Sequence, residues 1–214
     1  MKAPASIACL PNGPYYLSHD GDPDVVRFLQ REDGSACSMG QAAALCRCGG
    51  SKNKPFCDGT HATNGFSDAR LGGGPADQRI SFLGKRIAIH DNRALCAHAG
   101  ACTEGLPGVF REDGRPWIDP DAATAEQVVE TIRRCPSGAL SYSIDGVEHR
   151  DREAAPAVTV MNNGPYAVSG SIELTAVVFG VGSSQEHYTL CRCGASKNKP
   201  FCDGSHWDVG FKDP

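Results

Sequence analysis

Long apolar runs are missing from this chain. Nowhere in its 214 residues does an apolar stretch approach the roughly 20 residues that a membrane-spanning helix needs. The opening MKAPASIACLPNGPYYLSHD carries one lysine and no apolar segment long enough for a signal peptide. Both absences lead to the expectation of a soluble, cytoplasmic protein with no membrane partner. Basic charge is also short: 21 Lys and Arg against 25 Asp and Glu give a formal net charge of -4. That leaves no basic stripe for nucleic acid or an anionic membrane surface. Aromatic residues make up only 7%, and mean hydropathy is -0.32, ordinary for a globular chain. Two cofactor signatures are lacking. Gly180-Val-Gly182-Ser-Ser-Gln fails the dinucleotide fingerprint at its last glycine, and there is no P-loop. No nucleophile, base and orienting residue form a recognisable set, so the chain is not expected to be an enzyme.

Cysteine, by contrast, is abundant. The eleven residues are an odd number and accompany no export signal, which argues against a disulfide framework. Nine fall into three sets: Cys46, Cys48, Cys57; Cys96, Cys102, Cys135; and Cys191, Cys193, Cys202. Three sets of three suggest three metal centres. Cys9 and Cys37 remain, and are expected to be small buried apolar residues.

The first and third sets lie in nearly identical strings, CRCGGSKNKPFCDGTH at 46–61 and CRCGASKNKPFCDGSH at 191–206, which differ only at Gly50/Ala195 and Thr60/Ser205. An Asn-Gly-Pro-Tyr turn precedes each string (Asn12 to Tyr15, Asn163 to Tyr166) and a Gly-Phe pair follows it (Gly65-Phe66, Gly210-Phe211). A whole unit is therefore repeated. β-Branched residues broken by Asn-Gly and Gly predict short strands and hairpins within it. The linker-like stretches Leu71-Gly-Gly-Gly-Pro75 and HRDREAAPA from His149 bracket a different middle segment. These boundaries give domains at 1–72, 73–150 and 151–214. In the middle domain, RISFLGKRIAIHD predicts a strand pair turning at Leu83-Gly84. TAEQVVETIRR predicts a helix, with Thr124 and Gln127 as a capping box and Val128, Val129 and Ile132 on one apolar face.

Thiolate sulfur and imidazole nitrogen in one compact loop form a soft metal site. Cys46 and Cys48 can clasp one iron from an extended segment. Cys57 and His61, four residues apart, share a face on one helical turn. Asp58 is expected to cap that turn and Pro55 to extend the chain before it. Two donor pairs suit a two-iron cluster; Cys191, Cys193, Cys202 and His206 repeat the arrangement. Three cysteines and a histidine also satisfy a structural zinc ion. Lys52, Lys54, Lys197 and Lys199 read equally as charges that tune a cluster or as solvated loop residues.

The pattern Cys-x-Cys-x2-Ser-x3-Pro-x-Cys-Asp-Gly-Ser/Thr-His resembles the CDGSH iron–sulfur domain, and both copies match it at every fixed position. The resemblance implies a redox-active 2Fe–2S cluster in each string, on Cys46, Cys48, Cys57 and His61 and on Cys191, Cys193, Cys202 and His206. It also implies the family's two-fold dimer with intertwined β-strands, here built within one chain. The implied fold is α+β: two small β-rich domains forming an intramolecular pseudo-dimer, with an inserted ferredoxin-like domain. A monomer is then expected. Because the strings are nearly the same, the two sites are expected to behave alike.

In the middle set, Cys96 and Cys102 occupy the first and third positions of a bacterial ferredoxin run. Ala99 takes the second, and Cys135-Pro136 is the remote partner. From about Arg79 to Tyr142 the segment resembles the divergent single-cluster ferredoxins. Three thiolates support a 3Fe–4S cluster directly, whereas a 4Fe–4S cluster needs a fourth ligand, for which His98 is the candidate. His19, His90, His149 and His187 have no ligand spacing and read as surface or strand residues; Trp117 and Trp207 read as packing residues. Electron transfer between a reductase and an acceptor is the leading function. The alternative is storage, transfer to apo iron–sulfur proteins, or sensing.

Overall fold

The computed structural model describes residues 5–20 and 28–213. Residues 1–4 of the expected first domain, residues 21–27 and residue 214 lie outside that range. The fold is mixed α+β and mostly sheet. The first repeat supplies β1 (Ala5–Cys9), β2 (Tyr15–His19), β3 (Leu29–Arg31) and β4 (Ala42–Leu45). The middle domain follows with β5 (Ile80–Leu83), β6 (Ala88–Asp91), α1 (Ala101–Gly105), α2 (Ala125–Arg133), β7 (Leu140–Ile144) and β8 (Val147–His149). The second repeat contributes β9 (Ala157–Val160), β10 (Tyr166–Ser169), β11 (Glu173–Thr175), β12 (Tyr188–Leu190) and α3 (Ser205–Asp208).

Among the described residues three four-stranded sheets result, ordered β11-β1-β2-β4, β12-β10-β9-β3 and β5-β6-β7-β8. The first two exchange a strand. β11 of the second repeat runs parallel to β1, with Ser6 opposite Glu173 and Ala8 opposite Thr175. Reciprocally, β3 of the first repeat runs parallel to β9, with Leu29 opposite Val158 and Arg31 opposite Val160. Short strands suit this, because a three-residue ribbon has little pairing of its own and gains by completing another sheet. The period-2 pattern turns Ile7, Tyr15 and Leu17 on one side, and Val158, Tyr166 and Val168 on the other, into the shared core. Each fully buried side chain of this size contributes about 1.5–3 kcal/mol of apolar burial. The Tyr15 and Tyr166 rings meet edge to face at 6.0 Å.

The middle sheet is an antiparallel meander, and the strand pair around Leu83-Gly84 forms as predicted. Helix α2 begins at the Thr124–Gln127 capping box and buries Val128, Thr131 and Ile132, while Val129 sits half-buried at the edge. Among the described residues no helix is long and apolar enough to cross a membrane.

Several side chains depart from the sequence reading. Asp58 does not cap a helix, since Gly59 holds the N-cap position. It accepts instead from the backbone N–H groups of Lys52 (2.8 Å) and Thr60 (3.0 Å), which hold its carboxyl well below the usual range. His187 is buried, with Nδ1 2.9 Å from Ser184 Oγ. His90, by contrast, lies in strand β6 as expected, its ring between the Ser81 and Ser143 hydroxyls, each at 2.8 Å. Cys9 and Cys37 are half-buried rather than fully enclosed. Trp117 packs against Phe82 and Phe110 as expected, whereas Trp207 is 62% exposed.

Candidate metal centres

Each repeated string folds into one loop with two donor pairs. In the first, Cys46 Sγ and Cys48 Sγ lie 3.9 Å apart, and Cys57 Sγ and His61 Nδ1 lie 3.3 Å apart. In the second, the corresponding separations are 3.7 Å for Cys191 and Cys193 and 3.4 Å for Cys202 and His206. The four-residue step puts the imidazole back over the thiol because a turn of helix starts at Gly59 and at Gly204. Backbone N–H groups of Gly50 and Gly59 point at Cys48 and Cys57 sulfur, each at 3.4 Å, and Ala195 N does the same for Cys193. Such N–H contacts to sulfur are among the levers that set a cluster's potential.

Polar residues shared by the two strings are braces. Ser51 Oγ donates to Phe56 O at 2.6 Å, and Lys54 Nζ donates to Ser51 O at 2.7 Å. Ser196 and Lys199 repeat this at 2.7 and 2.8 Å. The four lysines therefore divide: Lys54 and Lys199 pin the loop, while Lys52 and Lys197 stand in solvent.

A second brace crosses between the repeats. Tyr15 Oη donates to Cys191 O (3.0 Å) and Pro200 O (2.9 Å) of the other repeat's loop. Tyr166 Oη does the same for Cys46 O (3.0 Å) and Pro55 O (2.9 Å). Arg47 and Arg192 lie over these rings, each with its guanidinium carbon 5.0 Å from the ring centre. Sequence reading took the Asn-Gly-Pro-Tyr motif as a turn and missed the tyrosine's task; the tyrosine's presence in both copies was the available signal. The loops also touch at their inner edges. A Cβ at Gly49 would stand 2.6 Å from Cys193 O, and one at Gly194 2.8 Å from Cys48 O.

The middle cysteines converge on a cavity of about 90 Å³, lined by Cys96, Cys102, Cys135 and His98 with Asp91, Arg93 and Trp117. Helix α1 carries Cys102, and Cys135 follows the end of α2. Burial pushes the Cys96 thiol up and, aided by Cys135 and Cys96, pushes Cys102 to about 11. Thiols so placed release their protons when a metal binds. Arg93 was not anticipated. Its Nη1 lies 3.5 Å from Cys96 Sγ, its Nε 3.9 Å from the buried Asp91, and its guanidinium carbon 4.0 Å from the Trp117 ring centre. Burial raises the Asp91 carboxyl to about 6 despite that arginine. His98 takes a left-handed φ of 53° and lies against Gly204 of the second loop: a Cβ there would stand 2.6 Å from His98 Cδ2.

Comparison with known families agrees with this geometry. The family model described as "Iron-binding zinc finger CDGSH type" matches residues 12–62 and 163–207, and that described as "Divergent 4Fe-4S mono-cluster" matches 82–145. The chain belongs to the CDGSH iron–sulfur family. Between its two CDGSH domains it carries a divergent 4Fe–4S mono-cluster domain. It is 41% identical over 61 residues to the uncharacterized protein YjdI of Escherichia coli strain K12, an alignment covering 28% of this chain and 80% of that relative. YjdI of Escherichia coli O157:H7 gives the same figures. No solved structure matches the chain.

In this tandem CDGSH chain the donor chemistry fits the clusters its family binds, with two thiolates for one iron and a thiolate plus an imidazole for the other. Burial, and then the neighbouring His98, hold the His206 imidazolium below its ordinary pKa, which favours the neutral ring that a metal requires. Arg93 offers a direct test in the middle domain. A cation beside a cluster thiolate stabilises the more negative, reduced state, so Arg93→Met should lower that centre's potential by on the order of tens of millivolts. A redox titration followed by EPR reads this, and an unchanged potential would remove Arg93 from the site.

Proposed function

We propose that the protein is a soluble electron-transfer protein with a 2Fe–2S cluster in each CDGSH loop and one 3Fe–4S or 4Fe–4S cluster in the middle cavity, and that it performs no substrate chemistry of its own. Such clusters supply one-electron oxidation and reduction with little ligand movement. Cys46, Cys48, Cys57 and His61 would hold one cluster and Cys191, Cys193, Cys202 and His206 the second. Cys96, Cys102 and Cys135 would hold the third, with His98 as fourth ligand if it has four irons. The observation that carries the reading is contiguity: the two loops touch at Gly49 and Gly194, and the middle cavity reaches the second loop through His98. A lone storage site has no need of a second kind of centre in contact with it.

We also infer that the repeats form an intramolecular pseudo-dimer, supported by the reciprocal strands β11 and β3 and the crossed tyrosines, and that the protein is a monomer docking separate redox proteins. Cluster storage, transfer or sensing is the second reading, favoured by the half-buried Cys57 and His61.

Iron, sulfide and zinc analysis of anaerobically prepared protein, with visible and EPR spectra, tests the assignment. Seven irons are expected for a three-iron middle centre and eight for a four-iron one, with little zinc. A colourless protein with stoichiometric zinc would overturn the reading.

A further inference from the structure

The two CDGSH loops are near-copies in sequence but not in surroundings. Around Gly59 a Cβ would meet nothing within 4 Å, whereas at Gly204, its counterpart, the His98 ring is in the way. Cys57 and His61 are half-buried, whereas Cys202 and His206 are 2% and 4% exposed. Asn53 is exposed, but Asn198 donates from Nδ2 to Ala94 O of the middle domain at 2.7 Å. Where the first repeat has Ala62, the second has Trp207, whose Nε1 donates to His98 O at 3.2 Å. The middle domain thus sits on the histidine edge of the second loop and leaves that edge of the first loop open. The opposite, inner edges of the two loops meet at Gly49 and Gly194.

We propose that the loops have different tasks. The second is an internal link between the middle centre and the first loop, and the Cys57–His61 edge of the first loop is the port through which the chain exchanges electrons with a protein redox partner. This rests on the electron-transfer reading and adds an order to it: middle cavity, second loop, first loop, partner. Each step moves one electron. The centre that gives it is oxidised as its neighbour is reduced, and one-electron protein carriers act as donor and acceptor at the ends. His98 lies at the junction, where it lines the middle cavity and packs against Gly204 of the second loop.

The test uses the full chain with all clusters loaded, as established by iron and sulfide content. Signals are assigned through His61→Cys and His206→Cys, each of which alters the spectrum of its own cluster. EPR power saturation should show the second-loop signal relaxing faster when the middle centre is paramagnetic, and the first-loop signal little affected. A ferrous chelator should strip the first-loop cluster at least about tenfold faster, because reaching the second requires an additional local opening. Trp207→Ala, a change at an exposed side chain, should bring the two rates together, and Asn198→Ala should move them the same way. Equal relaxation and equal stripping rates with three clusters present would overturn the proposed order while leaving the electron-transfer reading intact. Absence of iron and sulfide would overturn both.

Discussion

Residues 1–72 expressed alone should give a homodimer or an unfolded chain, not a folded monomer. In the intact protein the outer edge of β1 is paired by β11, and β3 lies in the sheet of the other repeat. Cut free, the fragment exposes an unpaired edge and the apolar face bearing Ile7, Tyr15 and Leu17, all fully buried in the whole chain. The Cys46 carbonyl also loses the Tyr166 hydroxyl, at about 1–3 kcal/mol for a polar group left without a partner, whereas the Pro55 carbonyl keeps the Cys46 N–H at 2.8 Å. A second copy of the fragment can supply all of these missing parts. Sedimentation equilibrium with circular dichroism decides the matter, and a stable folded monomer would count against interdependence of the repeats.

Gly49→Ala should cripple both CDGSH loops from a single methyl group. Gly49 has φ 76°, a region that costs an ordinary residue about 1–2 kcal/mol. The new Cβ would also stand 2.6 Å from Cys193 O and 2.9 Å from Cys193 C, which are backbone atoms that cannot swing aside. Gly65→Ala is the control, because its φ is 75° but nothing lies within 4 Å. Denaturant unfolding should show a loss of about 3 kcal/mol or more for Gly49→Ala against about 1 kcal/mol for the control. The visible absorbance of the cluster proposed for the second loop should fall with that of the first. Equal losses for the two variants would mean that the loops do not bear on each other at Gly49.

The candidate donor pairs were legible because their spacing is local. Cys-x-Cys, Cys-Asp-Gly and a histidine four residues on fold within one loop, and the structure pairs them as the spacing suggests. Helix α2 was equally readable, since its capping box and apolar face lie within eleven residues of sequence. Other features depend on partners far along the chain. Nothing within Glu173–Thr175 or Leu29–Arg31 says which sheet will take it. Tyr15 and Tyr166 read as the ends of turns until each is seen to hold a loop more than a hundred residues away. The difference in surroundings between the two sites was out of reach for the same reason. Their strings match, but Trp207 reaches His98 from 109 positions away, and no comparison of the strings themselves contains that contact.

The crossed tyrosines also set a timetable for synthesis. Cys46 is translated early, yet the hydroxyl that fixes its carbonyl belongs to Tyr166, 120 residues later. At roughly 5–20 residues per second, the first loop waits on the order of 6–24 s for that cross-repeat hydrogen bond. The middle sheet, whose strands run from Ile80 to His149, is complete before Tyr166 leaves the ribosome. The cross-repeat bracing of both CDGSH loops is therefore completed only after the domain lying between them in the chain has been translated.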